Sequence, residues 1–294
     1  MTRPTRAAVL AALGLSFLAA PFAAAQKPAP AAQPTVLFAV EAAPALNSYW
    51  LEPIATLENG DFHPVPVSCD DQNAPAAAAF FARYLAKGRA YPLLYSGQQV
   101  GKVLPSGQAD PMGSPGSLAD LQMSGAKAPA AAIATDSASL ARRQGRRREA
   151  TPAERRQAEA LARQILREHK VADADLTRLR ADGIAMADLE GRGEFTLIAT
   201  FVVPTPDGDG IQDSLFFAVK PPAGSEPSLL WYDHPESAAA GEELLYVDQL
   251  PLRPGEPDDL LVHVVYYRNS SYRIYRFHII NWRPVFETPI YGCL

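Results

Sequence analysis

Apolar residues recur every three to four positions in two parts of the chain, and this spacing predicts helices there. The first helix is predicted over residues 74–87, where Pro75 suits the opening turn and Gly88 can end the helix. The second begins at Thr151, which has the capping-box spacing to Glu154. A short third helix is predicted over residues 173–180. The apolar stripe of the second helix consists of Ala158, Leu161, Ala162, Ile165 and Leu166.

From residue 184 onward the pattern changes to that of β-strands joined by short Gly, Pro and Asp turns. Residues 259–267 are almost continuously apolar apart from His263, so we expect this strand at the centre of a sheet. Tyr and Trp are frequent here, which is typical either of a well-packed sheet or of an aromatic ligand face. The predicted strands are residues 184–189, 195–203, 214–220, 228–233, 243–248, 259–267, 271–280 and 285–290.

These patterns predict an α+β fold class with a small N-terminal α/β unit, a helical connector and a C-terminal antiparallel β-sheet unit. Because a closed propeller needs at least four blades, the β unit is too short to be one. A linker is predicted where Pro, Gly, Ser and Ala dominate. The predicted segments are residues 35–104 (small α+β unit), 105–150 (loop-rich, Arg-rich linker), 151–182 (helical connector) and 183–294 (antiparallel β unit).

The linker ends in a run of arginines. Five arginines occupy seven positions, which is typical either of a solvated linker or of an anion-binding patch. Since the 294-residue chain has a net charge of −5, we favour the solvated linker and exclude a general nucleic-acid binder. The arginines of the run are Arg142, Arg143, Arg146, Arg147 and Arg148.

The N-terminus has the pattern of a secretory signal peptide over residues 1–25. Two arginines precede an apolar run that is too short to span a bilayer, and Ala23 to Ala25 form a small-residue cleavage pattern. Residues 26–34 follow as an Ala/Pro spacer. We therefore expect an exported protein, periplasmic or extracellular, without a transmembrane segment after cleavage.

Export bears on the two cysteines, Cys69 and Cys293. In an oxidising compartment they can form a disulfide that closes a loop of more than 200 residues, or they can remain two unpaired thiols. Neither belongs to a CxxC pair, so a redox or zinc role is not indicated.

The strongest candidate for a metal site lies in residues 205–213. Asp207, Asp209 and Asp213 have the DxDGxxD spacing of a short calcium loop, and Gly210 permits the bend. Thr205 stands where a full EF-hand loop begins with Asp, and no bidentate Glu follows. The alternative is a plain hairpin turn, because Asp-Gly is a strong turn signal.

A second Asp-Gly segment runs from Asp188 through Glu190, Gly191 and Gly193. It resembles the motif of FG-GAP or VCBS-type repeats, and residues 184–293 look like uncharacterised exported bacterial proteins that carry such degenerate repeats. The resemblance implies calcium-binding blades. Because Arg192 replaces an acidic ligand position, we do not carry calcium binding over to this segment.

No catalytic signature is present in the sequence, and no pair of histidines has metal-ligand spacing. We therefore expect a non-catalytic binding or interaction module of the cell envelope that recognises an envelope protein or polymer. One alternative is a hydrolase of envelope or extracellular polymers, which a pocket with converging acids of perturbed pKa would favour. Adjacent acids such as Glu242 and Glu243 cannot be judged from spacing alone. The other alternative is a structural module stabilised by calcium.

Overall fold

β-Strands dominate the computed structural model, in which all the described residues belong to one compact unit. Among them, no helix combines the length and the apolar character needed to cross a membrane. The structure describes residues 34–66, 74–109, 116–125, 128–137, 140, 146–221, 226–237, 241–253, 255–266 and 269–289.

The N-terminal strands form a closed barrel. Six strands follow one another in the order β1-β7-β4-β5-β6-β2, and β2 pairs with β1 to close the ring, while β3 extends β2 as a hairpin. The strands are β1 (Thr35–Ala43), β2 (Ser48–Glu58), β3 (Asp61–Pro64), β4 (Tyr91–Tyr95), β5 (Gln98–Ala109), β6 (Ser117–Met123) and β7 (Ala131–Thr135).

One buried cluster draws side chains from all six barrel strands and forms the barrel interior. Val36, Phe38 and Val40 alternate with outward-facing residues, as the two-residue period of a strand requires. Helix α1 (Ala74–Phe80) and a π-helical turn at Phe81–Leu85 add to this cluster. The first predicted helix is therefore confirmed, although its second half, Phe81–Leu85, is π-helical and not α-helical.

A five-stranded antiparallel sheet follows, with helix α2 packed on one face. Its strand order is β12-β11-β10-β9-β8. The apolar stripe of α2 (Pro152–Glu168) is buried against this sheet, and Thr151 and Glu154 form the predicted capping box. A short helix, α3 (Asp173–Leu176), leads into β9. The strands are β8 (Arg146–Glu149), β9 (Arg180–Asp188), β10 (Thr196–Pro204), β11 (Ile211–Val219) and β12 (Leu229–Asp233).

The last four strands form a separate antiparallel sheet that is buried on both faces. Leu260, Val262 and Val264 pack against the five-stranded sheet, whereas Leu261 and Tyr272 pack against the outside of the barrel. The molecule is thus layered as helix, five-stranded sheet, four-stranded sheet and barrel. The strands are β13 (Glu243–Leu250), β14 (Asp259–Val265), β15 (Ser270–His278) and β16 (Asn281–Glu287).

The predicted α+β fold class with a helical connector is wrong, because the structure is mostly β and contains a closed six-stranded barrel. Helix α2 covers a sheet face instead of joining two units. Strands β6, β7 and β8 lie within residues 105–150. Ala119, Ala132 and Ala134 lie in the barrel interior, where a small side chain leaves room for Phe38 and Tyr91. Alanine has a low strand propensity, so composition alone pointed to loops.

Candidate functional site

Three adjoining cavities, of about 480, 530 and 250 Å³, meet at Tyr95, the last residue of β4. We call them together the Tyr95 cleft. The largest two share Glu149, and the smallest continues past Arg147 and Asp182 to Tyr246. The cleft therefore lies between the barrel, the edge of the five-stranded sheet and the first strand of the four-stranded sheet.

Arg147 lies within this cleft, on the edge strand β8. Its partner in β9 is Ala187, which faces the four-stranded sheet, so the strand alternation directs Arg147 to that side. The guanidinium carbon is 5.2 Å from the ring centre of Tyr95 and 4.7 Å from that of Tyr246. Its Nη1 donates a 2.6 Å hydrogen bond to the carbonyl oxygen of Val247. These contacts hold the guanidinium in one orientation.

Arg148 and Arg147 point to opposite faces of the sheet. Arg148 makes a bidentate pair with Glu154 of α2, at 2.7 and 2.8 Å, and covers the ring of Phe195. In contrast, Arg147 has no ion pair with any acidic group in the part of the chain that the structure describes. Of these two arginines, Arg147 is therefore the one that can receive an anion in the cleft.

Asp248 connects this region to the barrel. Its carboxylate is fully buried, and its Oδ2 accepts a 2.7 Å hydrogen bond from the backbone N–H of Ser96, at the tip of the β4–β5 hairpin. Burial raises the pKa of Asp248 to about 6, against the opposing charge of Arg147. The bond fixes the hairpin tip, and with it Tyr95, beside the cleft.

Two acids, Asp182 and Glu243, form a hydrogen-bonded carboxyl pair beside Arg147. In the β9–β10 ladder, Gly183 pairs with Thr200 and Ala181 with Phe201, so Asp182 is the extra residue of a β-bulge. Bulges redirect side chains and are frequent next to functional sites. This bulge places Asp182 in the lining of two of the cavities.

The carboxyl pair holds a proton at neutral pH. Burial, together with the hydrogen bond and charge of Asp182, raises the pKa of Glu243 to about 8. Burial alone would raise the pKa of Asp182, but its hydrogen bonds from Arg180 and Glu243 outweigh burial and lower it. Arg180 binds both oxygens of Asp182, at 2.5 and 2.6 Å. Asp182 is therefore the ionised member and Glu243 the protonated one.

The residues predicted to bind calcium lie in and after the β10–β11 hairpin loop. Asp207 and Asp209 are exposed there, and Asp207 accepts hydrogen bonds from the Thr205 hydroxyl and from the Asp209 backbone. Asp213 is buried in β11, where it accepts a 2.7 Å bond from the hydroxyl of Tyr232. Across the described ranges, no three His, Cys, Asp or Glu side chains are grouped so that they could hold a metal ion.

Asp188, the first acid of the repeat-like segment, has a local structural role. Its buried carboxylate accepts hydrogen bonds from the backbone N–H groups of Arg192 (3.0 Å) and Gly193 (2.7 Å), which closes the turn after β9. Among the C-terminal aromatic residues, Tyr272, Tyr275 and Trp282 are buried in the layer contacts. They therefore pack the sheet and do not form an open ligand face.

The sequence did not predict this cleft. The arginine run favoured a solvated linker, and the pattern before Asp182 predicted only a short helix over residues 173–180. Tyr95 and Tyr246 carried no signal in the sequence. The predicted signal peptide, and the cysteines Cys69 and Cys293 with their two alternatives of a disulfide or unpaired thiols, lie outside the described ranges.

The comparisons with family models, with curated proteins and with solved structures found no match to this chain.

Proposed function

We propose that the chain is an exported, non-catalytic binding protein of the cell envelope, and that its Tyr95 cleft binds the anionic group of a ligand through Arg147. The observation that carries this proposal is the state of Arg147. Two tyrosine rings and the Val247 carbonyl fix its guanidinium, it lines two cavities, and no described acid pairs with it. Export rests on the sequence of residues 1–25 alone.

A fixed guanidinium favours anion binding for two reasons. Its planar fork of N–H donors matches the two oxygens of a carboxylate or a phosphate. Because the tyrosine rings already restrict the side chain, little conformational entropy is lost when the ligand binds. Tyr95 and Tyr246 add apolar surface beside the guanidinium, as in many small-molecule sites.

Thermal melts of the purified protein test this proposal. The probes are N-acetylglycine for a carboxylate, phenyl phosphate for a phosphate and glycerol as a neutral control. A ligand at about 100 times its dissociation constant stabilises a protein by roughly 2.7 kcal/mol. For a chain of this size we expect the melting temperature to rise by about 4–5 °C with at least one anion, and not with glycerol.

The Arg147→Met variant should lose this rise, whereas Arg156→Met, a change at an exposed position of α2, should keep it. Arg147→Lys retains the charge but loses the planar fork, so it should bind more weakly. Each variant is compared with its own melt without ligand, because Arg147 also bonds Val247. An equal response to the anions in wild-type protein and Arg147→Met would refute the proposal.

One observation favours a hydrolase as a second candidate. The Asp182–Glu243 pair combines a protonated and an ionised carboxyl group in a cleft, as acid–base catalysis requires. However, the ion pair with Arg180 makes Asp182 a weak base. Incubation with envelope polymers distinguishes the two functions: products that form with wild-type protein and not with Glu243→Gln would establish the hydrolase.

A further inference from the structure

The Tyr95 cleft brings groups of opposite charge to the same cavity. Arg147 and Asp182 both line the cavities of about 530 and 250 Å³. The smaller of these lies below the 300–1,000 Å³ that is common for small-molecule pockets, so it suits a compact group. A ligand that enters it therefore meets the Arg147 guanidinium and the Asp182 carboxylate, whose two oxygens also accept hydrogen bonds from Arg180.

Two buried polar atoms of β13 have no hydrogen-bond partner in the described part of the chain. They are the hydroxyl of Tyr246, a residue that lines this cavity, and Oε1 of Glu243, whose partner Asp182 lines it. A buried polar atom without a partner costs about 1–3 kcal/mol, so a ligand that supplies the partner gains affinity. The Glu243 oxygen needs a hydrogen-bond donor, and the Tyr246 hydroxyl can accept one as well.

We propose that the cleft selects small zwitterions, with Arg147 binding the anionic group and the Asp182–Glu243 pair binding an ammonium group of the same ligand. This inference rests on the proposed anion site at Arg147. The carboxyl oxygens accept the N–H donors of the ammonium group, and the Tyr246 hydroxyl bonds the ligand between the two poles. The class of ligand includes amino acids and short peptides with free termini.

Binding of an ammonium group has a consequence for the shared proton. The raised pKa keeps Glu243 protonated at pH 7 although Arg180 already faces the pair, and a second cation there favours the ionised form of Glu243. Up to one proton therefore passes from Glu243 to the buffer for each ammonium group bound. The ligand itself is not altered chemically. A ligand that carries only an anionic group leaves the proton on Glu243.

Isothermal titration calorimetry at pH 7 measures this proton. Glycylglycine, a zwitterion, and N-acetylglycine, which lacks the ammonium group, are each titrated in bis-Tris and in Tris buffer, because neither buffer carries an anionic group that competes for Arg147. For glycylglycine, the binding enthalpies in the two buffers should differ by up to one times the difference between the ionisation enthalpies of the buffers. For N-acetylglycine, the two binding enthalpies should agree. Glycylglycine should also bind about tenfold more tightly or better.

The variants separate this inference from the proposed function. Glu243→Gln keeps a donor to Asp182 but has no proton to release, so the buffer dependence should vanish while N-acetylglycine binds as before. Arg147→Met should lose both ligands. Equal affinity of wild-type protein for the two probes, without buffer dependence, would overturn the zwitterion proposal and leave the anion site standing. If neither probe binds, the zwitterion proposal is overturned, and if phenyl phosphate also fails to bind, the anion site is overturned with it.

Discussion

The Nδ1 atom of His263 in the four-stranded sheet lies 2.9 Å from Oε1 of Glu41 on the outside of the barrel. The imidazole ring stacks on Tyr272 with 4.8 Å between the ring centres, and the hydroxyl of Tyr272 donates a 2.8 Å hydrogen bond to Glu52. The His263–Glu41 and Tyr272–Glu52 pairs each join the four-stranded sheet to a strand of the barrel. The stack of His263 on Tyr272 holds the two pairs side by side. The contact between the two layers therefore contains a polar cluster with a titratable group.

This cluster makes part of the stability dependent on pH. Burial favours neutral His263, but the hydrogen bond and charge of Glu41 outweigh it and raise its pKa. The stabilisation is complete below the pKa of an unfolded histidine, and it is lost as the pH rises through the folded pKa. Glu41→Gln should therefore lower the free energy of unfolding by about 1–3 kcal/mol at pH 5.5, and by less at pH 9. Urea unfolding at both pH values measures this, and an equal loss at the two would contradict it.

The raised pKa of Asp248 predicts a pH dependence of stability opposite to that of a salt-bridged acid. Its pKa is raised from 3.8 to about 6, so the folded state holds a proton that the unfolded state releases. Stability should fall as the pH rises from about 4 to 6. Asp248→Asn can still accept the Ser96 hydrogen bond and should be more stable than wild type at pH 8, by on the order of 3 kcal/mol. At pH 4 the difference should vanish. The exposed substitution Asp120→Asn serves as the control, and a destabilised Asp248→Asn at pH 8 would refute the argument.

The capping box of α2 can be tested by itself. The backbone N–H of Thr151 donates to Glu154 at 2.8 Å, and the Thr151 hydroxyl accepts from the Glu154 backbone at 3.3 Å. Thr151→Ala should lower the free energy of unfolding by about 0.5–2 kcal/mol, because one N–H group at the helix start loses its acceptor. Thr151→Ser retains the hydroxyl and should cost only a few tenths. Similar losses in the two variants, seen in urea unfolding, would show that the methyl group matters more than the cap.

Ile279 occupies an unfavourable backbone conformation. It is the first residue of the two-residue turn between β15 and β16, with φ of 59°, and its side chain is 81% exposed. A β-branched residue is strained at positive φ, and glycine is preferred at this turn position. Ile279→Gly should raise the free energy of unfolding by about 0.5–1 kcal/mol.

The neighbouring substitution provides the control for this prediction. Ile280 is also highly exposed, at 77%, but it is not among the described residues with positive φ. Ile280→Gly should therefore be neutral or destabilising, since it removes no strain and increases the freedom of the unfolded chain. If both glycine variants shift the melting temperature in the same direction by the same amount, backbone strain is not the cause.

The calcium loop and the plain turn make different predictions for residues 207–213. Asp207 and Asp213 already accept hydrogen bonds from Thr205 and Tyr232, and Asp213 is buried. We therefore expect the melting temperature to be the same in excess calcium and in a chelator, to within about 1 °C. A rise of several degrees in calcium that Asp209→Ala abolishes would instead establish a metal site there.

The helices and the C-terminal strands could be predicted from sequence because their signals are local. The capping box at Thr151 and the apolar stripe of α2 depend on residues within a few turns of one another. Each of the eight strands predicted after residue 184 overlaps a strand from β9 to β16. Strand β14 is buried on both faces, as its continuous apolar pattern predicts.

The closure of the barrel and the cleft depend on contacts between residues far apart in the chain. The pairing of β1 with β7 joins residues about 100 positions apart, and alanine-rich strands carry little local preference for this arrangement. Arg147 meets Tyr95 and Tyr246 only because three separate elements converge. Asp182 meets Glu243 because a bulge turns one side chain out of register.

The sequence by itself therefore determined the helices and the C-terminal strands of this protein, the cap of its main helix and the central position of β14. Only the tertiary structure decided that the fold is a layered β structure with a closed barrel, and which of its many charged residues lie together. The physical reason is that helix and strand periods are properties of neighbouring residues, whereas burial, charge pairing and the pKa of a carboxyl group depend on what the rest of the chain places around it.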